Sequence, residues 1–380
     1  MQIIPVASGK GGVGKSLLSA NLAITLGQAG KKVILADLDL GASNLHLVIG
    51  QAAPKKGIGT LLTGESTFDE IIQKTEYENV SFIAGDSEIP GLSSIKAFQK
   101  NSLIKKLRSL DCDYLIIDLG AGTHLTILDL FLLSPQGIVV SAPTVTATLN
   151  GYLFLKNIVF RLMATSFKKD SDAAKYLEKL KNDSASLQRL YIPKLIETLK
   201  QVDPTSTAVF EERMKQFHPR LVMNMIDEPK DADKALKIRR SCQQYLGLDV
   251  ESLGVIYRDS LQDKALSSRL PVVVYKPNSV ISQAIYRIAE KILQSETIKF
   301  GDNFGDLNLD STYELTSEEA NDDYSQKLSY IEDLVGTGAL SMGELAETIK
   351  TQQYEITQLK KENLLLKSKL VKAASQGFKV

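Results

Sequence analysis

A glycine-rich loop, Gly9-Lys10-Gly11-Gly12-Val13-Gly14-Lys15-Ser16, constrains this chain more than any other stretch. It fits the pattern G-x-x-x-x-G-K-[ST], and its setting fits too. Gln2-Ile3-Ile4-Pro5-Val6-Ala7 reads as a short buried strand, and Ser16 to Ala29 carries apolar residues at helical spacing. A loop between a strand end and a helix start aims its amides and the helix dipole at one anion. Glycines are needed where the backbone closes on phosphate and a Cβ would collide.

The loop chemistry assigns roles. Lys15 is expected to reach the β- and γ-phosphates of a nucleotide, and the Ser16 hydroxyl to ligate Mg²⁺. Gly9, Gly11, Gly12, Val13, Gly14 and Leu17 complete the expected cradle. Lys10 is an additional cation. It fits two roles: stabilising charge that develops in cis during transfer, or reaching the nucleotide of a second molecule.

The loop K-G-G-V-G-K-S resembles that of the deviant Walker A ATPases, the MinD/ParA group. The resemblance implies ATP and Mg²⁺ as cofactors, hydrolysis to ADP and phosphate, and a SIMIBI-type nucleoside triphosphatase (NTPase) fold. It also implies a homodimer that sandwiches ATP, with Lys10 acting in trans. Other segments support it. Lys32 to Ala36 reads as a second strand, ending in Asp37-Leu38-Asp39-Leu40-Gly41-Ala42-Ser43-Asn44-Leu45. Carboxylates at i and i+2 of a strand end point the same way, here toward metal and attacking water. The resemblance gives Asp39 the catalytic and metal-side role and places Asn44 near the nucleotide. Asp113-Tyr114-Leu115-Ile116-Ile117-Asp118 reads as the Walker B strand, with Asp118 toward Mg²⁺, and Leu119-Gly120-Ala121-Gly122-Thr123 as switch II. The D-x-G-A-G form looks more like FlhG than MinD. Pro143 to Thr146 is similar to the family's P-x-x-T loop. Asn224 matches a base-contacting asparagine, and Asp259 belongs to the last base-side loop, where Tyr257 replaces a common proline. Asn224-Met225-Ile226-Asp227 lacks the lysine of a guanine-reading motif, so adenine is preferred.

Composition bounds the rest. The chain has 380 residues, 43% hydrophobic content and zero formal net charge. That suffices for one large α/β domain with an extension and implies no global polyanion partner. No apolar stretch is long enough to span a bilayer, and strand one starts at the N-terminus, so a cytoplasmic protein without a signal peptide is expected, with a peripheral or polar location as the second option. Cys112 and Cys242 are isolated. They read as buried small residues, and no Fe–S cluster is expected. His46, His124 and His218 are scattered; His124 follows switch II.

Strands alternate with helical patterns to about residue 297, predicting a doubly wound, mostly parallel sheet with the ligand beyond the strand carboxyl ends. Residues 1–297 form the expected ATPase domain, with a helical insertion at about 152–217. There Tyr152 to Met163 is strongly apolar, and Leu187, Leu190, Tyr191, Leu195, Ile196 and Leu199 recur at helical spacing around Pro193. From Gly301 to Ser325 the chain carries many Asp and Glu and no Lys or Arg. It predicts an acidic flexible linker over 298–335. Residues 336–375 read as a parallel dimeric coiled coil, with 376–380 as a tail. Met342, Ile349, Ile356, Asn363 and Leu370 fall at a; Leu345, Gln352, Leu359 and Leu366 fall at d. Ile at a, Leu at d and one Asn at a favour two strands. Glu355 and Glu362 at g face Lys360 and Lys367 at e of a partner.

The resulting expectation is an ATP-driven dimerising switch in spatial organisation, met by a protein activator and by a membrane surface or DNA. A DNA-segregation ATPase is the alternative, and a metabolic ATP-dependent enzyme of the same fold ranks below it.

Overall fold

β-branched and aliphatic runs form the strands of one eight-stranded sheet, ordered β3-β4-β2-β5-β1-β6-β7-β8. The strands are β1 (Gln2–Ser8), β2 (Val33–Leu38), β3 (Ile72–Lys74), β4 (Val80–Ile83), β5 (Tyr114–Ala121), β6 (Ile138–Ser141), β7 (Arg220–Ile226) and β8 (Glu251–Tyr257). All pairings are parallel except β3 with β4. This is a computed structural model, and it describes residues 1–380 apart from 40, 42, 53, 86–96, 182–190, 296–308, 338–341 and 376–380.

The strand period sorts the core into two layers. Ile4, Val6, Leu35, Tyr114 and Ile116 join one buried cluster, and the intervening Ala7, Ile34, Ala36, Leu115 and Ile117 join the other. Alternate residues of a strand face opposite sides of a sheet, so helices cover both faces, as a parallel sheet requires. Helix α1 (Lys15–Gln28) lies over the first layer with Leu18, Leu22 and Leu26 fully buried. The short α2 (Leu45–Val48) and α3 (Ile58–Thr63) follow β2; α4 (Ala97–Arg108) precedes β5; α5 (Leu125–Phe131) and α6 (Val145–Ser166) flank β6.

The segment expected as a helical insertion forms α7 (Asp172–Lys181), α8 (Ile192–Val202) and α9 (Pro204–Lys215) after the long α6. Pro193 stands in the first turn of α8, where its missing N–H is no loss. Leu187 and Leu190 lie outside the described residues. Leu195, Leu199 and Phe210 join the core beside Phe154 and Leu162 of α6, and Phe167 meets Phe210 edge to face at 6.3 Å. The insertion thus packs locally. Then come α10 (Asp233–Leu246), α11 (Leu261–Ser267), α12 (Val272–Tyr275) and α13 (Val280–Gln294).

The expected flexible linker needs correction from residue 309 on; its first part, 298–308, lies outside the described residues. Residues Leu309–Gly336 form one helix, α14, and the first compact unit runs to Tyr324. Tyr313, Thr316, Ala320 and Asp323 are buried, spaced 3, 4 and 3 apart as one helix face demands. This face covers β8, the edge of the sheet. Thr312 Oγ1 accepts from the Ser252 amide at 3.3 Å, Tyr313 donates to Val250 O at 2.9 Å, and Tyr257 donates to Ala320 O at 2.7 Å. The acidic residues find cations on other elements: Asp310 pairs with Arg239, Asp323 with Arg287 and Glu319 with Lys291. Composition alone hides this because every partner lies elsewhere in the sequence. Tyr257, which replaces a common proline, is the anchor of the added helix. The second unit, Ser325–Val380, contains the helix α15 (Met342–Ser375).

Candidate functional site

The loop after β1 is shaped by close approaches. At Gly9 an added Cβ would lie 2.0 Å from the backbone oxygen of Asn150 in α6, so only glycine fits. Gly12 is left-handed with φ +76, and an added Cβ there would meet nothing within 4 Å. That face of the cradle is open. Gly14 has φ +84, and its Cβ would lie 2.1 Å from Asn224 Nδ2. Asn224, buried at the end of β7, donates to Val13 O at 2.8 Å and accepts the Met225 amide at 2.8 Å. Met225 adopts φ 59 at a bulge in the β7–β8 pairing. Asn224 therefore reaches the phosphate loop itself.

Sheet register assembles the acidic centre. Asp37 of β2 lies opposite Asp118 of β5. Both belong to the layer covered by α1, because their neighbours Leu35 and Ile116 do. Asp118 is 1% exposed, and three α1 side chains converge on it. Lys15 Nζ lies 2.8 Å from Oδ1, Ser16 Oγ donates to Oδ2 at 2.6 Å, and Ser19 Oγ donates to Oδ1 at 3.0 Å. Ser19 was not singled out from sequence; its place one turn after Lys15 and Ser16 was the available signal. Asp37 is fully buried and accepts from Ser43 Oγ, the Asp39 amide and the Leu45 amide. Burial first, and the neighbouring Asp118 charge second, push its carboxyl up to about 7, while those hydrogen bonds pull it back. It ties the end of β2 to Ser43 and Leu45.

Asp37 and Asp39 do not share one environment. β2 ends at Leu38, and the half-buried Asp39 sets its carboxylate against Gly120, 3.1 Å from where a Cβ would stand. Asp39 thus sits beside the segment read as switch II. Lys10 is exposed, and its ammonium donates to Thr146 Oγ1 at 3.1 Å, at the start of α6. Thr146, the threonine of the P-x-x-T loop, and Asn150 are two α6 residues that meet the phosphate loop. Leu17 packs against the α1-side core. Asn44 is exposed at the start of α2. Asp259 accepts the amide of Leu261, the first residue of α11, at 2.9 Å. His124 stands at the N-terminus of α5. The thiols of Cys112 and Cys242 are buried, and burial pushes them up to about 11 and about 12.

Ser16 and Asp118 bring a hydroxyl and a carboxylate together, a hard oxygen pair suited to Mg²⁺. Among the described residues no group of three or more His, Cys, Asp or Glu is placed to hold a metal. A cation at this pair would therefore complete its shell with phosphate oxygens and water. The open face at Gly12 leaves room for those phosphates.

A family profile, the CobQ/CobB/MinD/ParA nucleotide binding domain, matches residues 4–366. The chain belongs to this family. Within the MinD/ParA group, it is 35% identical over 161 residues to the flagellum site-determining protein YlxH of Helicobacter pylori, covering 41% of this chain and 53% of that protein. It is 34% identical over 148 residues to the septum site-determining protein MinD of Synechocystis, covering 38% and 55%. The chain thus spans about half the length of these curated relatives. An uncharacterised ATP-binding protein of Methanocaldococcus jannaschii is 25% identical over 290 residues, covering 76% of this chain and 87% of that one. Among solved structures, MinD of Pyrococcus horikoshii complexed with Mg-ADP matches with TM-score 0.54 and 23% identity, covering 79% of this chain and 99% of that one. The fold is therefore the MinD/ParA P-loop NTPase fold. No described helix is long and apolar enough to cross a membrane.

Proposed function

We propose that this protein is a MinD/ParA-type switch that binds and slowly hydrolyses ATP and dimerises to set the position of a cargo such as flagella or the division site. The observation that carries the reading is the divergence of the two loop lysines. Lys15 is buried on Asp118, inside its own subunit. Lys10 lies at the surface on Thr146, which flanks the exposed Val145 on the same helix. One lysine serves the phosphates in cis; the other is available to a second copy. Leu149, one turn on and also exposed, extends the apolar rim around Lys10. The printed roles of YlxH and MinD in flagellum and septum placement support the cellular assignment.

In this mechanism Asn224 holds Val13 and so sets the loop's height above the sheet. Asp39 orients the attacking water from beside Gly120, and the glycines of switch II let that segment follow the γ-phosphate. Bound Mg²⁺ would be held at Ser16 and Asp118, where it supplies charge neutralisation of the phosphates.

Complementation between subunits tests the reading. Lys10→Ala and Asp39→Ala are each expected to lose ATP turnover. A mixed dimer from co-expression contains one site with an intact Asp39 and a Lys10 from its partner, so phosphate release should return. A mixture as inactive as the single variants would overturn the trans role. Adding vesicles or DNA to Asp39→Ala with ATP then identifies the surface bound.

A further inference from the structure

We infer that the pairing surface for a second copy of this chain begins at Leu328, inside α14, and that no flexible linker separates it from the part of α14 that covers β8. The inference deepens the dimer reading above and rests on the parallel dimeric coiled coil expected over residues 336–375, the stem.

The first observation is phase. The register that sets Met342, Ile349, Ile356, Asn363 and Leu370 at a also sets Val335 and Leu328 at a when counted backward by sevens. It sets Ile331 at d and Gly338 at d. The count passes the end of α14 at Gly336 and the start of α15 at Met342 without losing a residue. A period of seven held this long is the mark of one continuous seam.

The second observation is exposure. Leu328 is 46%, Ile331 47% and Val335 46% exposed. In α15, Ile349 and Ile356 at a, and Leu359 and Leu366 at d, are likewise exposed. An apolar stripe on two successive helices in one phase matches one partner, an identical stripe in the same register. The docked face of α14 is a different one. Its buried residues, Tyr313, Thr316, Ala320 and Asp323, are offset from the seam positions. Tyr324, the next d position toward the N-terminus, stacks on Tyr257 at 6.2 Å. The seam therefore starts one step later, at Leu328.

The third observation is charge. The register sets Lys327 at g and Glu332 at e. In a parallel, in-register pair a g residue faces the e residue five positions on in the other chain, so Lys327 meets the partner's Glu332 position with opposite sign. This repeats the Glu355–Lys360 and Glu362–Lys367 pattern farther along. An antiparallel arrangement would not use this pairing. Gly336, the last residue of α14, weakens helix there by about 1 kcal/mol, and the flanking heptads of a paired coiled coil offset that cost.

The consequence is mechanical. The helix that covers β8 and anchors on Tyr257, the last residue of that strand, is the helix that carries the first seam positions.

Cysteine cross-linking of the full chain tests it. The native Cys112 and Cys242 are buried and serve as silent background. Under mild oxidation, Leu328→Cys at a and Leu359→Cys at d should both form disulfide-linked dimers, at least about tenfold more than Asp333→Cys at the outward f position. Cross-linking of Leu359→Cys without Leu328→Cys overturns the inference and leaves the stem reading standing. Cross-linking of neither overturns both. Equal linking of all three shows random collision and overturns the seam.

Discussion

The Lys15 ammonium lies 2.8 Å from Asp118, and Asp37 faces the same carboxylate across the neighbouring strand. One buried cation thus pairs with one of two neighbouring buried acids. Removing it leaves Asp118 without a counter-charge. Lys15→Met is expected to lower stability by about 3 kcal/mol, as for other broken buried pairs. Adding Asp118→Asn should restore part of the loss. Urea denaturation of the two single variants and the double variant checks the coupling.

Asp37 makes stability fall as pH rises. Its carboxyl is raised to about 7, above the ordinary value near ~3.9 of an unfolded chain. Between those values the folded state holds a proton that the unfolded state has lost. The contribution is therefore fully present below the unfolded value and lost as pH climbs toward 7, by at most ~1.4 kcal/mol per pH unit. Asp37→Asn cannot titrate. The difference in melting temperature, variant minus wild type, should shift in the variant's favour between pH 5 and pH 8. A difference independent of pH would show that Asp37 stays ionised.

The two tight glycines should respond differently. Gly9→Ala drives a Cβ to 2.0 Å from a backbone oxygen, so the loop must move, and nucleotide affinity should fall at least about tenfold, ~1.4 kcal/mol. Gly14→Ala strikes a side chain, Asn224. In an Asn224→Ala background that clash is gone, but φ +84 remains and keeps a strain of ~1 kcal/mol. Isothermal titration with ADP should show partial rescue for Gly14→Ala.

Cutting the chain at residue 297 removes the helix over β8. The Ser252 amide then loses Thr312, and the edge strand is open to pairing with other molecules. Light scattering should show aggregation of the chain ending at 297 and none for the chain ending at Gln326, which keeps Tyr313, Thr316, Ala320 and Asp323.

The loop from Gly9 to Ser16, the acids Asp39 and Asp118 and the parallel sheet were legible because their signals are local. A glycine pattern, a strand ending in aspartate and a period of two or 3.6 each lie within a short window. Ser19, Asn150, the contact of Lys10 with Thr146 and the tie from Asn224 to Val13 were less so, because each joins elements far apart in sequence. Asp37 was visible as one of two carboxylates, but register against Asp118 decides that it is buried while Asp39 stands beside Gly120.

Sequence by itself determined the phosphate loop, the α/β class and the heptad phase, since each follows from residue types at fixed spacing. Tertiary structure alone decided the fate of the acidic segment after residue 308. Its charge looked like that of a solvated linker until Arg239, Arg287 and Lys291 were brought to it across the fold. A carboxylate's burial depends on which cation stands beside it, and that neighbour is set by packing rather than by order along the chain.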